Sequence, residues 1–264
     1  MGVPKCDDLE AYIPRATVRS KNVAIRKHVK VEEVGKAGLE EFAKVMHMTE
    51  VRKDIHLRGY EYFKHLLEVY PDNSYLFLAK VNPQDRKNEL EALIEQDRLC
   101  LENPELSRKQ KKLHEQNLKQ EQDELNSMQD VLAKYDGETV IAGGLMIGFG
   151  PVIEMLYAGM NEDFRTFRPQ YLTYYTQFEF AFEHGYDYVT MGGVEGSLED
   201  GLSMYKSAYN PVVNEFIGEF DLPVNGILYR LSEWAYKLRK HYFRMKKNKE
   251  RNSPFFITLL VFFR

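Results

Sequence analysis

The chain has 264 residues with 44% apolar and 29% charged side chains, 17 Gly and 10 Pro, a balance that excludes a disordered or collagen-like chain and leaves one large domain or two small ones. Its formal charge of −4 hides a segregation, because Lys237 to Arg251 holds eight Lys/Arg against one Glu and the other 249 residues sum to −11. Cys6 and Cys100 alone build neither a disulfide framework nor a zinc site, and the start MGVPKCDDLE lacks the apolar stretch of a signal sequence, so a reducing, cytoplasmic setting is expected.

From Asp7 to about Gly35 the residues keep no sustained period and carry many basic side chains (Arg15, Arg19, Lys21, Arg26, Lys27, Lys30), which reads as a linker containing a short strand or connector. Leu39, Phe42, Ala43, Met46 and, at the limit, Ile55 recur at helical spacing after Gly38, with Glu40 and Glu41 in the first turn where the helix dipole favours them. A second helix is predicted from about Gly59 to Tyr70, with Phe63, Leu66, Leu67 and Tyr70 on one stripe and Pro71 ending it. The short apolar run SYLFLAKV reads as a strand.

Gln84 to Lys134 differs in character, with 12 Asp/Glu, nine Lys/Arg, no Gly and a thin apolar seam from Leu90 to Leu132. Sparse apolar positions with charged flanks predict a coiled coil. Asn103-Pro104 breaks it into an antiparallel hairpin of roughly 30 Å at 1.5 Å per residue. A helical pair lying on the domain is the alternative, but so thin a seam covers little core and favours a projecting arm.

After the arm, TVIAGGLMIGF and VIEMLY read as the two strands of a hairpin turned by Gly150-Pro151. A helix from Pro169 to His184 follows, with Tyr171, Tyr174, Tyr175, Phe178, Ala181 and Phe182 on its apolar side and Gly185 at its end. YDYVTMGGV then returns as a strand, so the pattern is one sheet covered by helices, an α/β (α+β) arrangement. The last apolar run, Phe255 to Phe263, is nine residues long, whereas crossing a bilayer takes about 20.

No P-loop, dinucleotide fingerprint or metal-ligand spacing of the histidines is present, so no metal is expected. Gly143, Gly144, Gly148 and Gly150 fall within and after a strand, which suits close backbone packing better than a phosphate cradle. Arg58 and Tyr62, four apart at the start of a helix, place a bidentate cation and a phenol where a phosphate or carboxylate is held well. Tyr157 at the hairpin's second strand serves packing or binding. Lys206 beside Tyr205 follows a glycine-rich strand end, where open α/β sheets collect ligands, although a lysine there is more often simply solvated. Arg165 and Arg168 bind an anion or cap the fold.

Taken in order, IHLRGYEYFKHLLEVYPD, the charged arm, MLYAGMNEDFRTFRPQYLTYYTQFEFAFEHGYDYVTMGGV and GLSMYKSAYNPVVNEFIGEFDLP resemble the second domain of the Fem family of aminoacyl-tRNA-dependent peptidoglycan transferases, the group of FemA, FemB, FemX, MurM and MurN, with the streptococcal-type MurM and MurN enzymes nearest within it. The resemblance covers roughly residues 15 to 240. It implies a GNAT-like body at 36–82 and 136–225, a helical arm at 83–135 and a connector at 1–35 left from a first GNAT-like domain that is largely missing; a basic C-terminal helix and an atypical apolar tail make up 226–264. It implies an aminoacyltransferase of interpeptide-bridge synthesis, acting at the inner face of the membrane on a UDP-linked or lipid-linked muropeptide, with aminoacyl-tRNA as co-substrate, no cofactor, and other Fem proteins as partners. Residue by residue, Arg58, Tyr62 and Tyr157 match acceptor-site positions, Lys206 in MYKSAYNP matches the lysine of the acyl-transfer step, and Tyr205 lies beside it as a further binding residue. The arm is similar to that of seryl-tRNA synthetase, but its net charge of −3 argues against a phosphate-driven contact.

Two other readings share the fold. One is a non-catalytic half that binds tRNA or a partner Fem protein; the other is an acetyl-CoA-dependent N-acyltransferase, which predicts a glycine-rich loop opening a helix. The tail SPFFITLLVFFR fits no family motif; it docks on an anionic membrane surface or is a readthrough product.

Overall fold

The computed structural model describes residues 1–194, 198–218 and 220–251, with side chains up to residue 239. The apolar run Phe255 to Phe263 lies outside the described residues. The chain divides into two units, residues 1–214 and 215–264.

The first unit is built on a six-stranded sheet. In chain order it contains β1 (Gly2–Pro4), α1 (Leu9–Tyr12), α2 (Arg15–Arg26), β2 (Lys30–Glu33), a 3-10 turn (Gly35–Gly38), α3 (Leu39–Lys53), α4 (Tyr60–Val69), β3 (Ser74–Val81), α5 (Pro83–Leu101), α6 (Arg108–Ser127), α7 (Gln129–Lys134), β4 (Thr139–Phe149), β5 (Val152–Met160), a second 3-10 turn (Glu162–Phe167), α8 (Pro169–Glu183), β6 (Tyr188–Thr190) and α9 (Gly201–Ser207). The strand order is β1-β6-β5-β4-β3-β2. Every pair is antiparallel except β5 and β6, which are joined through α8. One face packs Phe77, Met146 and Ile153 under Tyr174 and Phe178 of α8. The other packs Leu76, Leu78 and Leu145 under Phe42 and Met46 of α3 and Phe63 and Leu67 of α4. The result is the single sheet covered by helices, with an inserted helical arm, that the sequence pattern predicts.

The first 35 residues do not form a connector. β1 is an edge strand on β6, β2 is the opposite edge on β3, and α2 packs on α8. The helix is hard to see in sequence because its inward positions are Thr17, Lys21 and Ala24, only one of them apolar. Lys21 is buried by pairing with Glu10 at 2.6 Å while its ammonium lies 4.1 Å over the Tyr175 ring, a cation–π contact that lets a charged residue occupy an inward position. The boundary at the far end also moves: the first unit ends at Asn214 rather than at residue 225, just after Val212 bridges to Gly2.

The arm begins where Asn82 Oδ1 accepts from the Gln84 N–H and Pro83 opens α5. α6 starts on a capping box of Ser107 and Gln110, an arrangement that satisfies two otherwise orphaned donors. Arg86 meets Glu124 and Asp97 meets His114, so the two helices run antiparallel. Leu90, Met128 and Val131 root the arm's base in a core with Ala79, Phe164 and Phe167. Toward the tip Leu99 and Leu113 are exposed, and α6 buries no residue, so the arm projects.

At that base Arg86 grips Glu124 with two hydrogen bonds of 3.0 Å, and Lys27 lies 3.3 Å from the same carboxylate. Burial pushes the Glu124 carboxyl up, but the hydrogen bonds from Arg86 and the charges of Lys27 and Arg86 outweigh it and hold the group below the ordinary carboxylate range. Glu124→Ala takes the carboxylate from Lys27 and leaves Arg86 with Glu89 alone, and is expected to cost about 2 kcal/mol, the range of hydrogen bonds to a charged group. A depressed carboxyl contributes stability above its unfolded pKa, and that contribution is lost as pH falls through the folded value. Thermal melts of the two proteins should therefore differ near neutrality and converge in acid; equal melting temperatures at neutral pH would show that the pair is inconsequential.

In the second unit the described element is α10 (Gly226–Arg251). Asn225 caps it by accepting from the N–H groups of Ile227 and Leu228.

Candidate active site

β5 organises the site. It pairs with β6 over only three residues, Val152 to Glu154, opposite the whole of β6, and from Met155 onward it runs on past the end of that partner. A cleft of about 530 Å³ occupies the space beyond that end. Its walls are Ala158 to Met160 of β5, Tyr171 and Tyr174 of α8, and Tyr205 of α9, and four cations, Arg52, Lys53, Arg165 and Arg168, line it. Gln170 satisfies one carbonyl of this stretch of β5, donating from Nε2 to Gly159 O at 2.7 Å. Its Oε1 is buried and has no hydrogen-bond partner among the described residues.

A bulge opposite Leu145 and Met146 inserts Leu156 into β5, so Leu145 faces Tyr157 while Met146 faces Met155. The bulge turns Tyr157 toward α4. There it completes the group predicted from sequence. Arg58 lies with its guanidinium 5.1 Å from the Tyr62 ring centre, and the Tyr157 hydroxyl donates to that of Tyr62 at 3.4 Å. Phe63 supports the rings from below, 5.1 Å from Tyr157. Burial, then the Tyr62 hydroxyl, pushes the Tyr157 phenol up to about 12, with Arg58 opposing. The group therefore offers the Arg58 cation, a neutral Tyr157 phenol and the Tyr62 hydroxyl beside it.

Lys206 is not a solvated lysine. It sits in α9, whose first turn is capped by Asp200 accepting from Leu202 N and Ser203 N, and it is 5% exposed. Its Nζ donates to Gly193 O at 2.9 Å, just past the carboxyl end of β6. Burial lowers its pKa, while Asp200 and Glu154 act in the opposite direction. Glu154 was not visible as a site residue in the sequence, because on β5 it is one polar residue in a strand. Because Leu156 is the extra residue of the bulge, register places Glu154 on the same face as Tyr157, opposite Ile147 and Leu145 respectively, about 7 Å along the strand for two steps of roughly 3.3 Å.

Tyr205, adjacent in sequence, points elsewhere. Its hydroxyl meets that of Tyr209 at 3.0 Å, and its ring packs edge-on against Tyr171 and Tyr174. Burial, followed by the neighbouring tyrosines, raises its phenol well above the ordinary value. The structure thus brings Arg58, Tyr62 and Tyr157 together, puts the Lys206 ammonium near Glu154 of the same strand, both within 4 Å of where a Cβ of Gly192 would lie, and puts Tyr205 in the cleft wall with Arg165 and Arg168. Arg52 and Lys53 gave no sequence signal beyond ending a helix.

Gly148 packs against Tyr186 of the loop between α8 and β6, and an added Cβ would meet that phenol, so glycine there serves close packing as expected. α8, the helix after the hairpin, opens on Arg168-Pro169 rather than on the glycine-rich turn an acetyl-CoA pyrophosphate would need.

A family profile described as the FemAB family matches residues 9–237. Among curated proteins, the chain is 29% identical over 233 residues to the Lipid II:glycine glycyltransferase of Staphylococcus haemolyticus (strain JCSC1435), covering 81% of this chain and 55% of that protein. It is 28% identical over 252 residues to the enzyme of the same name from Staphylococcus aureus (strain bovine RF122 / ET3-1), covering 88% and 59%. The chain therefore spans little more than half the length of these relatives. Among solved structures, a crystal structure of FemX superposes with a TM-score of 0.62 at 27% identity, over 88% of this chain and 63% of that one.

Proposed function

The chain belongs to the FemAB family, and on that premise we propose that it carries the acyl-transfer half of an aminoacyltransferase that extends peptidoglycan bridges. An amine of the acceptor's stem peptide attacks the ester carbonyl of an aminoacyl-tRNA. The new C–N bond forms, the ester C–O bond breaks, and the proton lost by the amine goes to the departing ribose oxygen, leaving an amide and a free tRNA. Such aminolysis needs oriented substrates and positive charge where the oxyanion develops more than it needs a strong nucleophile.

The observation that carries the reading is a buried Lys206 ammonium beside Glu154, a residue of the β5 face that also carries Tyr157 of the Arg58–Tyr62–Tyr157 group. Arg58 would hold the acceptor's phosphate, and the two phenols its sugar. Lys206 would face the oxyanion. The cleft suits the RNA 3′ end, with Arg52, Lys53, Arg165 and Arg168 toward phosphates, tyrosine rings for stacking and the Gln170 Oε1 for a ribose hydroxyl. The relatives' name refers to Lipid II and glycine, which favours a lipid-linked acceptor and hence work at the cytoplasmic face of the membrane. The projecting arm is available to the body of the tRNA or to another Fem protein.

The test is mass analysis of Lipid II after incubation with glycyl-tRNA and this chain, alone and with the N-terminal region of the S. haemolyticus enzyme supplied. Glycyl-extended Lipid II in either arrangement supports the reading. Acylation from acetyl-CoA instead, or no product in both, overturns it. In the productive arrangement Arg58→Ala should raise the acceptor KM about ten- to hundredfold, matching the ~1.5–3 kcal/mol of a charged hydrogen bond, with kcat little changed.

A further inference from the structure

α10 lies outside the machinery described above and has an asymmetry of its own. Ile227, Leu231, Trp234 and Leu238 recur at intervals of four, three and four, the spacing of a single helical stripe, and all four are between 48% and 75% exposed. At 3.6 residues per turn, Arg230 and Lys237 border this stripe on one side and Arg239 on the other. Glu233 is turned away from it, paired with Lys237 at 3.7 Å. Beyond the described side chains the same helix continues through Lys240, Arg244, Lys246, Lys247, Lys249 and Arg251, with Glu250 the sole acid in that stretch.

We infer that α10 is an interfacial anchor that lies flat on an anionic phospholipid surface, with its stripe in the acyl boundary and its basic residues among the headgroups. Cations bordering an apolar stripe are placed to reach phosphates while their stems stay in the apolar layer. An anionic surface also answers the charge excess of Lys237 to Arg251, whereas a second copy of the helix would set eight cations against eight. No described helix is long and apolar enough to cross a membrane, so the helix lies on the surface. Location at the membrane is part of the functional reading above, but lipid binding is measured without tRNA or acceptor, so either can fail alone.

Trp234 is the only tryptophan of the chain and reports directly from the stripe. The full chain is titrated with vesicles of phosphatidylcholine and with vesicles of phosphatidylglycerol and phosphatidylcholine in equal parts. The expected result is a blue shift of Trp234 emission on the anionic vesicles, half-complete at about tenfold less lipid or lower than on the neutral ones, and reversed by added salt. Leu231→Glu, at a position already exposed, leaves the basic residues and the apolar tail in place and should abolish the shift. Equal binding to both vesicle types overturns the inference. So does an undiminished shift in L231E, which would assign binding to the tail, or self-association of lipid-free protein that buries Trp234.

Discussion

Lys206→Ala is expected to lower turnover by about 10²- to 10³-fold in the arrangement that transfers, the cost of removing one preorganised oxyanion donor, while the acceptor KM stays within about threefold because the lost contact forms mainly in the transition state. The direction of the Lys206 pKa adds a second readout. Burial lowers it, and the opposing charges of Asp200 and Glu154 do not restore it. The useful form is the ammonium, so its contribution is present below this lowered pKa and disappears as pH rises through it. The alkaline limb of kcat should fall below the ordinary lysine range and should move upward in Lys206→Arg if that variant retains turnover. Folding follows the opposite sign: a lysine whose folded pKa is depressed opposes folding while charged, so Lys206→Met should melt no lower than the parent at neutral pH. Turnover lost without stability lost separates catalysis from packing. Unchanged turnover in Lys206→Ala, or a change confined to KM, removes Lys206 from the reaction.

The legibility of this chain follows from which residues carry the periodicity. β3, the β4–β5 hairpin and α8 were readable because large apolar residues occupy their inward positions. α2 was not, because Thr17, Lys21 and Ala24 face inward and Lys21 is tolerated only through Glu10 and Tyr175. β1 has three residues and acquires its identity from β6. Within the site, Arg58 lies before α4, beyond the extended Gly59, and reaches the Tyr62 ring from outside the helix, so the four-residue spacing marks the pair although Arg58 is not on the helix itself. Tyr157 joins them only through the bulge at Leu156, which no local pattern announces. Tyr205 and Lys206 are neighbours in sequence, yet successive helical residues point about 100° apart, so one faces the tyrosine cluster and the other Gly193. The cleft takes lining residues from α3, β5, α8 and α9; its walls were legible piecemeal, and their convergence depends on β5 running past the end of its short partner β6, which no local pattern shows.

The aromatic support of the Arg58–Tyr62–Tyr157 group, proposed above to hold the acceptor, provides the second large expected effect. Phe63 is fully buried, with its ring 5.1 Å from Phe42, 5.7 Å from Tyr62 and 5.1 Å from Tyr157. Phe63→Ala removes the ring on which all three lean, and the cavity should cost about 3–5 kcal/mol of unfolding free energy, measured by urea denaturation. Because Tyr62 and Tyr157 lose their backing, the acceptor KM should rise as well, beyond what stability alone would cause in the folded fraction. Tyr157→Phe separates the two consequences. It keeps the ring and its packing, removes the donor to the Tyr62 hydroxyl, and should raise KM with little change in the denaturation midpoint. Since the Tyr157 phenol is pushed up to about 12, it stays a neutral donor across the working range. An acceptor KM that loses a titration near pH 10 in Tyr157→Phe, or a Phe63→Ala variant that denatures at the parent's midpoint, would show that the aromatic wall does not hold the acceptor in the way its geometry requires.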